Sequence, residues 1–271
     1  MSDFLTDAEF DRFRKLIYDE SGITFSDTNR SVLESRIRET LRTKQLASVE
    51  DYFRLVSSSK DELNAMLDSV TTNLTRFFRN QAHFDTLEKY VLPEILQRKG
   101  ASGEKRIRIW SAGCSTGEEP YTIAMVVKDN VPPSFKTEII ASDISLKCLM
   151  TAKAGFYADA KMTGVPDKYL NKYFERKPGG WQVKNELMEM IRFDYHNLAH
   201  ESNLANVDVV FCRNVIIYFD EAAQKAVIDG FWRAMSPKSY LFIGHSESLF
   251  GMDTKFVFLK TPWACIYQKN T

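Results

Sequence analysis

Four polar clusters interrupt apolar stretches of this chain, and each is of a type that could meet a ligand. The first is Trp110-Ser111-Ala112-Gly113-Cys114-Ser115-Thr116-Gly117-Glu118-Glu119-Pro120-Tyr121. Glycine lets a backbone turn tightly and approach a bound group, and Glu119-Pro120 suits the first turn of a helix. The loop is neither Gly-x-Gly-x-x-Gly nor a P-loop. The second cluster is Ser142-Asp143, about 25 residues beyond Glu118. That is near the spacing at which an acid reads ribose hydroxyls in nucleoside-binding βαβ units, although a helix cap would use the same residues. The third is Arg213-Asn214, two donors at the end of an apolar run, where ordinary strand-end capping competes. The fourth is Thr71-Thr72-Asn73-Leu74-Thr75-Arg76-Phe77-Phe78-Arg79-Asn80. Its arginines suit a carboxylate, which guanidinium grips in a two-pronged fork. A connector filling a domain interface explains its phenylalanines but not its polar residues.

The acids narrow the ligand class. A pyrophosphate is drawn to a helix N-terminus free of negative charge. Glu118 and Glu119 stand at that place and would repel it. S-adenosylmethionine has no phosphate, and its sulfonium and ammonium are cationic, so the carboxylates favour it over a nicotinamide dinucleotide. Cys212 has no positioned base in view and reads as a buried thiol. His196 and His200 are one helical turn apart without a third ligand, so no metal is expected. Gly244-His245-Ser246-Glu247 lacks the nucleophile elbow of a hydrolase.

The elements that must position these clusters follow from periodicity. To about residue 80 the chain reads as successive helices. Thr6-Asp7-Ala8-Glu9 fits a capping box, and Phe10, Phe13, Leu16 and Ile17 then share a face until Ser21-Gly22. A second helix is predicted from Ser26-Asp27 through Val32, Leu33, Ile37 and Leu41, with further starts at Ser48 and Ser59. Phe84, Leu87, Val91 and Leu92 form one more, bent or interrupted by Pro93. Strands are predicted at 106–110, 138–141, 208–212 and 240–243, with a closing hairpin at 256–259 and 264–267. Their alternation with helices implies a largely parallel sheet covered on both faces, whose ligands bind at the carboxyl ends of the strands. Residues 173–193, around Lys177-Pro178-Gly179-Gly180, read as a hairpin excursion: a surface elaboration, or an edge strand that receives a partner peptide.

Lysine and arginine total 36 against 36 aspartates and glutamates, so bulk charge gives no reason to expect a nucleic-acid partner. The second helix offers Arg36, Arg38 and Arg42 for substrate docking, Arg38 and Arg42 one turn apart as a local basic ridge, with Glu34 and Glu39 as balancing charges if the face is merely solvated. No stretch approaches the ~20 apolar residues that span a bilayer, and the N-terminal residues do not form a signal peptide. The cysteines 114, 148, 212 and 265 are scattered, which suits a reduced compartment. A cytoplasmic protein with no membrane insertion is expected.

Taken in order, the runs T-N-L-T-R-F-F-R, W-S-A-G-C-S-T-G-E-E-P-Y, A-S-D-I, F-C-R-N-V-I-I-Y-F and G-H-S-E closely resemble the CheR-type chemoreceptor glutamate methyltransferases of bacterial chemotaxis. The resemblance spans nearly the whole chain. It implies an all-α N-terminal domain with its linker over 1–80, for substrate docking. It implies a Rossmann-like, S-adenosylmethionine-binding methyltransferase domain over 81–271, with a small β-subdomain at about 165–195. The implied activity is transfer of a methyl group from S-adenosylmethionine to glutamate side chains on chemoreceptor cytoplasmic helices, leaving S-adenosylhomocysteine. By similarity Asn73, Thr75 and Arg79 line the cofactor from the linker side. Gly113 belongs to the cofactor loop, and Glu118 and Asp143 hold the methionine and ribose parts. Asn197 and Leu198 flank the adenine, and Arg213 and Asn214 complete the pocket. Arg79 and Tyr218 face the methyl group and the incoming carboxylate. The turn at Pro178-Gly179-Gly180 is short beside those of members that dock a receptor C-terminal pentapeptide, so a pentapeptide-independent enzyme is expected; a monomer is expected as well. The alternative is a module that binds S-adenosylmethionine or S-adenosylhomocysteine without catalysis.

Overall fold

The computed structural model describes residues 4–71 and 73–271; Met1–Asp3 and Thr72 of the linker run lie outside the described residues. Thr6 opens α1 (Asp7–Ser21) through the expected capping box. Its hydroxyl accepts from the Glu9 amide, and the Glu9 carboxylate accepts from the Thr6 amide. Gly22 closes the helix in the left-handed region at φ 73°. The second helix starts later than Ser26-Asp27: a 3-10 turn at Asp27–Asn29 leads into α2 (Arg30–Lys44). Ser48 and Ser59 cap α3 (Val49–Ser58) and α4 (Lys60–Val70) by accepting from the Asp51 and Glu62 amides. The apolar faces of α1 to α4 close on one core of Phe10, Phe13, Ile17, Leu33, Ile37, Tyr52, Val56, Met66, Leu67 and Val70. Val32, whose spacing placed it among core residues, is 43% exposed.

Beyond the linker, α5 (Gln81–Thr86), a π-helical turn (Leu87–Val91) and α6 (Leu92–Ser102) follow without a break. Pro93 lies inside this continuous helical run, and the π turn just before it takes up the irregularity that its missing N–H imposes. Then come β1 (Arg106–Ala112), α7 (Glu118–Asn130), β2 (Lys136–Asp143), α8 (Leu146–Ala154), β3 (Phe156–Tyr157), α9 (Asp167–Tyr173), β4 (Phe174–Lys177), β5 (Gly180–Val183), α10 (Asn185–Met188), β6 (Ile191–Tyr195), β7 (Val207–Cys212), α11 (Glu221–Ala234), β8 (Met235–Ile243), β9 (Val257–Lys260) and β10 (Cys265–Lys269).

Seven strands form one sheet in the order β6-β2-β1-β7-β8-β10-β9. The first five are parallel, and the β9–β10 hairpin closes the sheet antiparallel to β8. β7 is buried at all six positions, as expected of a central parallel strand. Strand order reverses between β1 and β7, which makes their carboxyl ends the expected ligand crevice. The excursion is a three-stranded antiparallel sheet, β3-β5-β4, with a tight turn between Lys177 and Gly180. Two features differ from the sequence expectation. β3 is a partner that two residues of sequence do not announce. Ile191–Tyr195, grouped with the excursion, instead pairs parallel to β2 at the edge of the main sheet. Among the described residues, no helix is long and apolar enough to cross a membrane.

Candidate functional site

A cavity of about 270 Å3 opens where β1, β2 and β7 end and the helical domain meets the sheet. Gly113, Ser115 and Glu119 come to its wall from the β1–α7 loop. Gly113 has φ 83°, and a Cβ there would stand 2.5 Å from Val215 Cγ2, so only glycine lets this loop pass under the β7 turn. Asp143, at the end of β2, accepts from the Ser115 amide at 2.7 Å and the Ser145 amide at 2.9 Å. Capping of α8 falls to Ser145, whose hydroxyl accepts from the Cys148 amide, so Asp143 is free to serve the cavity wall. Burial pushes the Asp143 carboxyl above the usual aspartate range, against the pull of these amides.

The two adjacent glutamates part company. Glu119 lines the cavity, accepting from Ser111 Oγ at 2.7 Å and from Arg213 Nη1 at 3.1 Å. Burial raises its carboxyl while the Arg213 guanidinium pulls it down. Glu118, the residue expected to hold the cofactor, is not on the wall. It is fully buried, with Thr116 Oγ1 at 2.6 Å and Lys161 Nζ at 3.1 Å. Successive helical residues point about 100° apart, so only one of the pair can face the crevice.

Arg213 and Asn214 line the wall at the end of β7. The turn is held by Glu247 of the Gly-His-Ser-Glu run, which accepts from the amides of Asn214 at 2.8 Å, Val215 at 2.9 Å and Gly244. That duty was not read from sequence, because a lone acid after Gly-His-Ser signals nothing by itself. Asn73, Thr75, Arg76 and Arg79 reach the cavity from the linker. Phe77 and Phe78 point into the sheet-covering core, so the interface and ligand explanations of this run each hold for different residues. Arg79 Nη1 donates to the Leu74 carbonyl at 2.7 Å, and the Arg79 carbonyl accepts from Arg213 Nη2. Asn197 and Leu198 line the wall after β6, and Tyr218 does so from a 3-10 turn at Ile216–Tyr218. Cys212 is fully buried, and burial pushes its thiol up, away from nucleophile chemistry.

Sequence reasoning missed one whole side. Ile23, Thr24, Phe25 and Val32 of the helical domain also line the cavity. The exposure of Val32 on α2 is thereby explained. Arg36, Arg38 and Arg42 are exposed, and none lines the cavity. Arg36 sits one turn beyond Val32 on the cavity side of α2 and lies 3.6 Å from Glu39. Arg38 and Arg42 project together from another side, with Arg38 over the Phe4 ring at 4.5 Å, so Arg36 stands apart from the Arg38–Arg42 pair.

Three buried polar atoms on lining residues have no hydrogen-bond partner: Thr24 Oγ1, Arg213 Nε and Asn214 Oδ1. Buried polar groups are almost always paired, so such atoms mark a place where a polar ligand belongs. Carboxylates at Glu119 and Asp143 beside guanidiniums at Arg79 and Arg213 suit a ligand carrying charges of both signs. S-adenosylmethionine, with its amino-acid carboxylate, ammonium, sulfonium and ribose, fits that donor set.

Comparison with known proteins agrees. Residues 8–71 match the family model described as CheR methyltransferase, all-alpha domain. Residues 73–265 match CheR methyltransferase, SAM binding domain. The chain is 37% identical to a chemotaxis protein methyltransferase of Borreliella burgdorferi, over 91% of this chain and 90% of that protein. It is 35% identical to chemotaxis protein methyltransferase 2 of Vibrio cholerae, over 90% and 87%. It is 34% identical to the chemotaxis protein methyltransferase of Escherichia coli, over 93% and 88%.

Proposed function

The chain belongs to the CheR methyltransferase family, and from that membership we propose that it methylates glutamate side chains on the cytoplasmic helices of chemoreceptors, for chemotactic adaptation. The observation that carries this is the convergence of Arg79 from the linker and Tyr218 from the β7–α11 turn on the cavity that Glu119 and Asp143 also line. Bound S-adenosylmethionine supplies an electrophilic methyl carbon on a sulfonium. Asp143 takes the ribose hydroxyls, Glu119 faces the sulfonium of the methionine part, and Asn197 with Leu198 take the adenine, while Asn73 and Thr75 close the linker side.

An acceptor glutamate is ionised near pH 7, its reference pKa being about 4.3, so the chain needs no strong general base. Its task is alignment and electrostatics. The Arg79 guanidinium steers the acceptor carboxylate. Its anchorage to the Leu74 carbonyl spends one N–H face and leaves the others for substrate. The Tyr218 hydroxyl positions the same carboxylate. The exposed arginines of α2 give a basic approach for a glutamate-rich helix. The enzyme works as a cytoplasmic monomer without a pentapeptide tether.

Tritiated-methyl transfer to receptor-containing membranes tests the proposal. Base-labile label on the receptor is expected, since a carboxyl methyl ester hydrolyses in alkali. Tight S-adenosylmethionine binding with no transfer to any receptor would leave only the non-catalytic binding module. Arg79→Ala and Tyr218→Phe should each cut turnover more than cofactor affinity; equal losses would remove them from the acceptor side.

A further inference from the structure

Tyr218 and Phe219 are consecutive, yet they belong to different cores. Phe219 packs in the methyltransferase core with Trp110, Ile216 and Phe231. Tyr218 packs against the helical-domain core. The contact between them and the helical domain is made by one turn at the end of α1. Ile23 forms an isolated antiparallel bridge with Phe219, and the Thr24 amide donates to the Tyr218 carbonyl at 2.8 Å. Gly22 lies close against the Phe219 ring. A Cβ there would meet Cε1 at 2.9 Å and Cδ1 at 3.0 Å, and the residue's φ of 73° is one that side chains rarely adopt. One further bond fastens the same turn: Asn197 Nδ2 donates to the Glu20 carbonyl at 2.5 Å.

We propose that the turn Gly22–Ile23–Thr24 of the helical domain positions Tyr218 for methyl transfer. The sheet brings the segment to the cavity, but the main-chain bond and ring contact from α1 set where the tyrosine stands. The helical domain is therefore part of the machinery that aligns the acceptor and not solely a place where substrate lands. The proposal rests on Tyr218 serving the reaction proposed above. Gly22 and the main-chain amide of Thr24 act through Tyr218 and are positioning groups, whereas the Thr24 hydroxyl faces the cavity itself.

The test uses the full chain carrying Gly22→Ala, which pushes on the Phe219 ring, or Thr24→Pro, which removes the amide that the Tyr218 carbonyl accepts from and is judged against Thr24→Val, a reference that loses only the cavity-facing hydroxyl. Each should lower kcat at least tenfold while the KM for receptor membranes changes less than threefold. Neither loss should multiply with that of Tyr218→Phe: the double variants should be no slower than Tyr218→Phe alone by more than twofold. Multiplying losses, or a kcat within twofold of native for both variants, would overturn the proposal. If one variant does not fold, the other decides. A 19F resonance from Tyr218→3-fluorotyrosine gives a reading independent of any acceptor. It should shift or broaden in both variants, and an unmoved line would overturn the proposal. Failure of the native chain to label receptors would instead refute the assignment of function, with the 19F comparison still judging the turn.

Discussion

Glu119→Gln should weaken S-adenosylmethionine binding about 30-fold, and Glu118→Gln should leave it within about twofold. The magnitude follows from the site's size. A volume near 270 Å3 is that of a sphere roughly 8 Å across, so a charge on the wall acts on a charge inside over about that distance or less. At an effective dielectric near 20 this is about 2 kcal/mol, or ~30-fold in affinity. The amide keeps the contacts to Ser111 and Arg213 but leaves the Arg213 guanidinium, 2% exposed, without its counter-charge facing a cationic ligand. Glu118 is shielded from the cavity, and its partner Lys161 is 45% exposed, so water can solvate that ammonium when the carboxylate is gone. Isothermal calorimetry with S-adenosylmethionine and S-adenosylhomocysteine isolates the effect, because the product lacks the sulfonium charge. Glu119→Gln should reduce the preference for the charged ligand and Glu118→Gln should not. A larger loss at Glu118 than at Glu119, or equal losses for both ligands, would refute the placement of charge argued here.

Gly113→Ala should destabilise the fold by about 2–4 kcal/mol through a strained φ and the collision with Val215, read as a lowered urea midpoint; a change under about 0.5 kcal/mol would contradict the close approach. Burial, then the nearby charges of Arg213 and His245, push the His83 imidazole down to about 3 from 6.5. The unfolded chain therefore takes up a proton below pH 6.5 that the folded chain refuses until about 3. Stability from this group is whole above 6.5 and falls through that window at about 1.4 kcal/mol per pH unit. His83→Phe, which keeps a ring against Phe242, should flatten the slope of unfolding free energy between pH 6 and 4, and an unchanged slope would acquit His83. Arg36→Glu should raise the KM for receptor membranes several-fold, and Arg38→Glu should do less because it faces away from Val32; the opposite ranking would move the docking face to the other side of α2.

Much of this architecture was legible because it is written in local chemistry. The capping box at Thr6 and the serine caps at Ser48 and Ser59 each need only four residues in sequence, and all three form. The parallel strands announced themselves as short apolar runs, since a strand buried on both faces has no polar side to disguise it. What failed was phase and partnership. Glu118 and Glu119 are chemically identical neighbours, and the rotation of α7 that separates them is set by how the helix packs into the core through residues such as Tyr121, Ile123 and Val126. Ile191–Tyr195 alternates apolar and polar residues as any half-covered edge strand does, and nothing in those five residues says which sheet they will join. Ile23 and Phe25 carry no polar signal in the sequence, and they pack while also walling the cavity.

That double duty explains why the site needs both parts of the chain. Strand ends supply an open crevice, with the β1–α7 loop, Asp143 and the Arg213–Asn214 turn on one side. Such a crevice is wet, and in water the attraction between an arginine and a carboxylate is worth little. The helical domain and linker lay Ile23, Phe25, Val32, Val70 and Leu74 across it, lowering the local dielectric around Arg79, Arg213 and Glu119. The linker can do this only because Phe77 and Phe78 are driven into the core beneath, with the Phe78 amide bound to Thr122 Oγ1 at 3.2 Å, which fixes the polar residues on either side at the rim. Burial of two phenylalanines is worth several kcal/mol, enough to hold a short polar strap against a solvent-facing cavity. The proposed carboxylate methylation, which asks for alignment of charges and no proton transfer, would then be served by main-chain bonds and packed aromatics, with hydrophobic burial as the source of its electrostatic strength.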